Sequence, residues 1–356
     1  MPEFTYDIPR QRIVFGPGAV RRQLRDEIES LRFTRLLAVT SPARQRISAD
    51  LLCSLSDLIT GTFTGVRPHV PVAVAEAARE RARAAEADAI LSIGGGSTVG
   101  TAKAIALTTG LPIIAVPTTY AGSEVTPVWG LTEHGHKRTG KHPAVLPRLV
   151  VYDPELLRSM PQSMAAASGF NALAHCVEAF WGPGRNGSVD VIAEEGIRAL
   201  GAGLRALADG TGDAAAPDLL YGAYLAGSAF ATAGSGLHHK LCHILGGTYD
   251  LPHAQTHAVV LPYVLALNAP GAPEAVHRIG RALHSADPVA ALRDLAKRLR
   301  IPTSLCEIGL AAGDLDEAAA LATAVVPDDN PVPADRTALR ALLAAAWSGT
   351  AAPEQP

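Results

Sequence analysis

The sequence predicts two architectures in one chain: an α/β half built on a parallel sheet with flanking helices, then an all-helical half. Short apolar runs alternate with helical or turn segments from Ile13 to about Asp153. Beyond Pro154 such runs become sparse, and Ala, Leu and Glu take over. With 356 residues, 48% hydrophobic and 18% charged, the chain can bury more than one core. The expected boundary lies between residues 1–155, a nucleotide-binding α/β domain, and 156–356, an all-helical substrate domain.

The elements follow in order. RIVFG reads as a strand, a charged helix follows, and RLLAVTS, ADAILSIGGGS, LPIIAVPTTY and RLVVYDP read as further strands. Between VRPHVP and ADAILSIG, the stretch VAVAEAARERARAAEA repeats apolar residues at helical spacing with arginines and glutamates opposite. Strands alternating with helices specify a parallel, doubly wound sheet. In the second half VIAEEGIRALGAGLRALA, APEAVHRIGRALH, VAALRDLAKRLR and RTALRALLAAAW are helical, and 182–187, 209–213 and 327–333 supply loops. No internal repeat is present.

Composition excludes several partners. The formal net charge is -3 with both signs interspersed, so no basic stripe exists for nucleic acid or an anionic membrane. MPEFTYDIPRQR lacks the apolar run of a signal peptide, and the longest uncharged run, 219–237, is broken by Gly, Ser and Thr, as suits a buried helix. Cys53, Cys176, Cys242 and Cys306 are far apart without a CxxC pair, which argues against a disulfide framework or a zinc knuckle and for the cytoplasm.

SIGGGSTVGTAKAIAL, residues 92–107, leaves a strand and opens a helix. Glycines there let the backbone approach a phosphate, and the helix N-terminus favours its charge. Ser97 and Thr98 can cap that helix. A tight turn that binds nothing is the alternative, but PTTYAGSEVTP, 117–127, puts a second hydroxyl-rich loop at the end of the next strand, and two such loops imply a nucleotide crevice. The pattern is not GxGxxG. RLLAVTS ends at Ser41 with Arg44 three residues on, and no acid sits where a ribose 2′-hydroxyl would be gripped, so nothing there repels a 2′-phosphate.

GLHHKLCHILGGTYDLPH, residues 236–253, concentrates histidines. His239 and His243 are four apart, His253 lies ten further on, and Asn171 and His175 are four apart in SGFNALAHCVEAFW. A spacing of four puts two side chains on one helix face, so each pair addresses one spot. His142, His257 and His277 read instead as isolated hydrogen-bonded core histidines.

These stretches, with GVRPHVPV, LPRLVVYDPEL, AEEGIRAL and AQTHAVVLPYVLALN, resemble the iron-containing alcohol dehydrogenase superfamily nearly end to end, and within it most closely its maleylacetate-reducing branch. The resemblance implies the dehydroquinate synthase-like fold of that superfamily, with the active site in the cleft between the two domains. In its metal-dependent members an Asp and three His bind Fe²⁺ or Zn²⁺, at positions matching Asn171, His175, His239 and His253. A neutral amide is a weaker ligand than a carboxylate, so the site reads as vestigial and metal as not required. Asn there and the run His238, His239, Lys240 point to the reducing branch. Tyr263 in LPYV departs from relatives that carry histidine. A metal-dependent alcohol or polyol dehydrogenase is the alternative, and a catalytically silent nucleotide-binding protein a more distant one, against which the intact loop and cluster argue.

What the resemblance implies chemically is reduction of the carbon–carbon double bond of maleylacetate to 3-oxoadipate with NADH or NADPH, in aromatic-compound degradation, by a cytoplasmic homodimer. It places Gly95, Gly96 and Ser97 on the pyrophosphate, with Thr118, Thr119 and Tyr120 on the cofactor's other side and Ser41 nearby. Hydride addition to a conjugated double bond leaves an enolate, which needs an oxyanion partner and a proton. His243 is the candidate proton donor on the nicotinamide side. His175, His239 and His253 are candidates for substrate and oxyanion binding beside Asn171. Lys240, otherwise a solvated lysine, adds fixed positive charge, and a cation-rich pocket is expected to replace the metal as electrophile.

Overall fold

The computed structural model describes residues 3–7, 10–41, 45–133 and 136–350. Contacts group Asp7–Met160 into one compact unit and Pro161–Pro356 with Met1–Tyr6 into another.

The first unit carries a six-stranded parallel sheet of β1 (Arg12–Phe15), β2 (Leu36–Thr40), β3 (Ile59–Phe63), β4 (Ala89–Gly94), β5 (Ile113–Pro117) and β8 (Leu149–Tyr152), in the order β1-β8-β5-β4-β2-β3. β2, β4, β5 and β8 are buried on both faces, as continuous apolar runs require in a parallel sheet. Alternation divides their side chains. Leu36, Leu91, Ile93 and Val151 join one core with α1 (Ala19–Ser30) and α2 (Gln45–Ser54). Leu37, Val39, Ile90 and Ile113 join the core on the other face with α3 (Val72–Ala84) and α4 (Gly96–Thr109). A separate antiparallel hairpin, β6 (Val128–Glu133) and β7 (His136–Lys141), follows β5. The residue pattern did not announce β3, β6 or β7. ITGTF is an edge strand with a glycine and only one fully buried residue, and HKRTGK has no apolar face.

After β2 the chain moves outward to β3, then returns to add β4 on β2's other side. That reversal is a topological switch point, where strand ends diverge and open a crevice. Register aligns the loops there. Thr40 pairs with Ile93 and Gly94 with Pro117, so Ser41, the glycine loop and Thr118 leave the sheet side by side.

The second unit is helical among its described residues: α5 (Gln162–Ala179), α6 (Gly187–Ala208), α7 (Gly212–Ala233), α8 (Leu237–Tyr249), α9 (His253–Asn268), α10 (Pro273–Leu283), α11 (Pro288–Arg298), α12 (Leu315–Thr323) and α13 (Arg336–Ser348). Asn186, Asp287 and Asp335 cap α6, α11 and α13 by accepting from first-turn amides. Leu237, Leu241 and Leu245 of α8 pack with Val260 and Val264 of α9, Ala318 of α12 and Leu343 of α13. The uncharged run lies largely in α7, and among the described residues no helix is long and apolar enough to cross a membrane.

Candidate functional site

At the switch point the glycine loop is shaped by close approach. A Cβ on Gly95 would lie 2.6 Å from Thr119 Cγ2, and one on Gly94 2.3 Å from Thr98 Oγ1. Gly96 differs: its Cβ would find only Ala121, at an ordinary 3.5 Å, so open space remains above it. Gly95 is the N-cap of α4 and no side chain caps that helix, contrary to the capping expected of Ser97 and Thr98. Those two residues fall inside the first turn, Thr98 buried and Ser97 half-buried. The uncapped turn, the bare Gly96 and the half-buried Thr119 and Ser41 fit an anionic pyrophosphate. Thr118 is buried, and Tyr120 is buried deeply enough that its phenol pKa is raised. Arg44 lies outside the described residues.

Beneath these loops sits a group the pattern reading missed. Lys103 of α4 is fully buried, and its Nζ donates to Ser123 O at 2.7 Å, Thr126 O at 2.8 Å, Thr126 Oγ1 at 2.9 Å and Val128 O at 2.7 Å. Burial pulls its pKa down to about 7 against the opposing charge of Glu124. Glu124 is buried too and accepts from Tyr152 Oη at 2.7 Å.

In the helical unit, four helices assemble the histidines. Asn171, His175 and Glu178 share one face of α5 at i, i+4 and i+7. α8 supplies His238 and His239 with Cys242 and His243 a turn later, α9 supplies His253 and His257, and α7 ends near Phe230. His175 stacks on His239 with centroids 4.9 Å apart, and Phe230 lies 4.7 Å from each. His257 contacts His239 at 4.8 Å and His253 at 4.5 Å, while His243 and His253 lie 6.3 Å apart. Deeper in, His238 Nε2 is 2.8 Å from His257 Nδ1, with Cys242 Sγ 3.7 Å from the same His238 nitrogen. Exposure is graded. His238, His239 and His257 are buried, His175 and Lys240 are half-buried, and His243 and His253 are exposed. His257 is therefore no isolated core histidine, and His142 and His277 are exposed rather than core.

The electrostatics withhold positive charge from the enclosed rings of the expected cation-rich pocket. Burial depresses the pKa of His175, His239 and His257 well below the ordinary imidazole value and that of His238 to about 3, and neighbouring imidazoles reinforce the shift for His175, His239 and His257. These rings are neutral at pH 7. The one carboxylate among them, Glu178, is fully buried and bonded to His239 Nδ1 at 2.5 Å.

The motif positions are not drawn together as a compact donor cluster, although Asn171 Oδ1, His175 Nδ1 and His239 Nε2 are buried without a partner among the described residues. Among the described residues, histidines, cysteines and carboxylates gather three donor atoms within 4.8 Å of one another only at His238, Cys242 and His257. His175, His239 and His253 form no such group, and Asn171 brings no charge. The compact trio is bonded within itself, and His238 Nδ1 and His257 Nε2 lack the outer partner that usually orients a metal-bound imidazole.

Glu178, Phe230 and His257 were not identified beforehand. Glu178 continues the Asn171–His175 face at i+7 and His257 follows His253 at i+4, spacings visible along each helix.

Comparison with known proteins finds relatives along the whole chain. Residues 9–154 match the model of the iron-containing alcohol dehydrogenase family, and 165–347 match its C-terminal counterpart. The chain is 47% identical to a maleylacetate reductase of Sphingobium indicum over 98% of both chains. It resembles the crystal structure of a maleylacetate reductase from Agrobacterium tumefaciens with a TM-score of 0.94 at 41% identity, covering 99% of this chain and all of that one. An iron-containing alcohol dehydrogenase from Corynebacterium glutamicum gives a TM-score of 0.94 at 45% identity, covering 98% and 97%.

Proposed function

The chain belongs to the iron-containing alcohol dehydrogenase family, and on that premise we propose that it reduces the carbon–carbon double bond of maleylacetate to 3-oxoadipate. The carrying observation is Asn171 at the head of a buried, neutral histidine cluster, alongside full-length similarity to enzymes named for this reaction. A nicotinamide cofactor, NADH or NADPH, supplies the hydride. Gly95, Gly96 and Ser97 hold its pyrophosphate, Thr118, Thr119 and Tyr120 line its other side, and Ser41 completes the crevice edge.

The substrate is a dicarboxylate whose double bond is conjugated with a ketone. Asn171, His175, His239 and His253 surround it, and Lys240, half-buried beside His239, offers a carboxylate the fixed charge that the neutral rings lack. His243, on the exposed end of the cluster, is placed to exchange protons with solvent and return one to the enolate carbon. In this reading the chain needs no metal for turnover, and it works as a cytoplasmic homodimer within aromatic-compound degradation.

A metal-dependent alcohol dehydrogenase is the second reading. It draws on the family's iron-containing members and on two buried acceptors without a protein partner, Asn171 Oδ1 and His239 Nε2. One assay separates the two. Protein dialysed against chelator and assayed for metal is mixed with maleylacetate, and NADH and NADPH absorbance is followed. Turnover by metal-free protein is the expected result. Activity that returns only with Fe²⁺ or Zn²⁺, together with oxidation of simple alcohols, moves the second reading to the front.

A further inference from the structure

We propose that Glu178 is a positioning residue that fixes the proton of His239 on Nδ1, so that His239 meets the pocket as a hydrogen-bond acceptor. Glu178 sits in the last turn of α5, wholly buried, and three of its four polar contacts are backbone N–H groups that can only donate. Its Oε2 accepts from Gly236 N at 3.0 Å and His239 N at 3.3 Å, its Oε1 accepts from His238 N at 2.5 Å, and His239 Nδ1 lies 2.5 Å from Oε2. Burial works against the charge, but three backbone amides converging on the group favour the carboxylate, and a carboxylate 2.5 Å from the ring nitrogen puts the intervening hydrogen on Nδ1.

Two further features belong to this arrangement. α8 begins at Gly236 without a capping side chain of its own, and Glu178 reaches across from α5 to fill that role. Gly236 makes room for it, since a Cβ there would lie 2.8 Å from Glu178 Oε1. The same carboxylate thus caps the helix and orients its third residue. With Nδ1 committed, Nε2 holds a lone pair, and that atom is buried without a protein partner. His239 then takes a hydrogen bond from a hydroxyl, a water or a protonated carboxyl. It cannot donate to an enolate, and the oxyanion partner must be another residue.

The tautomer stands apart from the proposed reaction; only the kinetic arm rests on it. Histidine labelled with ¹⁵N, with His239 assigned by its loss in His239→Ala, reports directly which nitrogen is protonated in substrate-free protein. The Nδ1–H form is expected, and an Nε2–H form overturns the proposal. In Glu178→Gln, whose amide must turn hydrogens toward existing donors, kcat for maleylacetate reduction falls by about 30-fold or more while KM for NADH stays within about threefold. A helix cap alone predicts that the change costs as much again in the His239→Ala background. Positioning through His239 predicts that the double variant is no slower than His239→Ala, and additive losses overturn the proposal. Should Glu178→Gln fail to fold, Glu178→Asp, which keeps the charge on a shorter arm, serves in the same cycle.

Discussion

Both units bury charge, and they satisfy it in opposite ways. Lys103 is surrounded by three carbonyls and a hydroxyl held in fixed geometry, so its donors are spent on the protein itself. Around Glu178 the reverse holds: it absorbs three backbone N–H donors, while Asn171 Oδ1, His175 Nδ1, His238 Nδ1, His239 Nε2 and His257 Nε2 have no hydrogen-bonding partner among the described residues. A saturated buried network fixes shape; an unsaturated one is a cost that folding alone does not explain. On the proposed function, the contrast gives Lys103 to holding the loops after β5 and leaves the histidines for chemistry.

Removing an imbalanced acceptor should hit rate rather than fold. His239→Ala is expected to lower kcat for maleylacetate reduction by about 10²–10³-fold with little change in melting temperature, measured by stopped-flow and calorimetry. Collapse of the fold with the rate would erase the distinction.

Lys103→Met tests the other side. Stripping the ammonium from the buried Thr126 carbonyl and the half-buried Ser123 and Val128 carbonyls is expected to destabilise the protein by about 2–4 kcal/mol in urea unfolding. pH sharpens the result. The folded lysine has its pKa lowered to about 7 from the ordinary 10.5, so between those values the unfolded chain binds more protons and the native contribution grows as pH rises. The margin of the native protein over Lys103→Met should widen from pH 7 toward pH 10. Glu124 faces the same network and is shifted by the charge of Lys103, so the difference reports the coupled pair.

Gly95→Ala brings a methyl against Thr119 without touching the histidines, and about tenfold weaker NADH binding by fluorescence quenching is expected with kcat nearly unchanged. The smallest effect belongs to a site outside both networks. Tyr263 Oη donates to Thr350 O at 3.1 Å and accepts from Arg293, so Tyr263→Phe should cost about 1 kcal/mol and leave turnover intact.

Legibility in the sequence followed the range of the interactions. β2, β4, β5 and β8 could be read because burial on both faces writes a continuous apolar run into each. β3 and the β6–β7 hairpin have no such run, since neighbours rather than composition make them strands. In the site, Asn171–His175 and His239–His243 were visible because one helical turn separates each pair. Glu178 was not, because an acid near a helix end is usually solvated, and only the arrival of α8 makes it the sole charge in the cluster. The charge state is hidden for the same reason: the residue types allow imidazolium, and burial disfavours it in the enclosed rings.

The sheet's order bears on how the chain is made. β1 is an edge strand whose only partner is β8, with Arg12 opposite Leu149. During synthesis the first strand therefore waits, unpaired, until nearly the whole α/β unit has left the ribosome. Closure across that span is slow because chain entropy is lost before any contact rewards it. The interval leaves RIVF available to other strands.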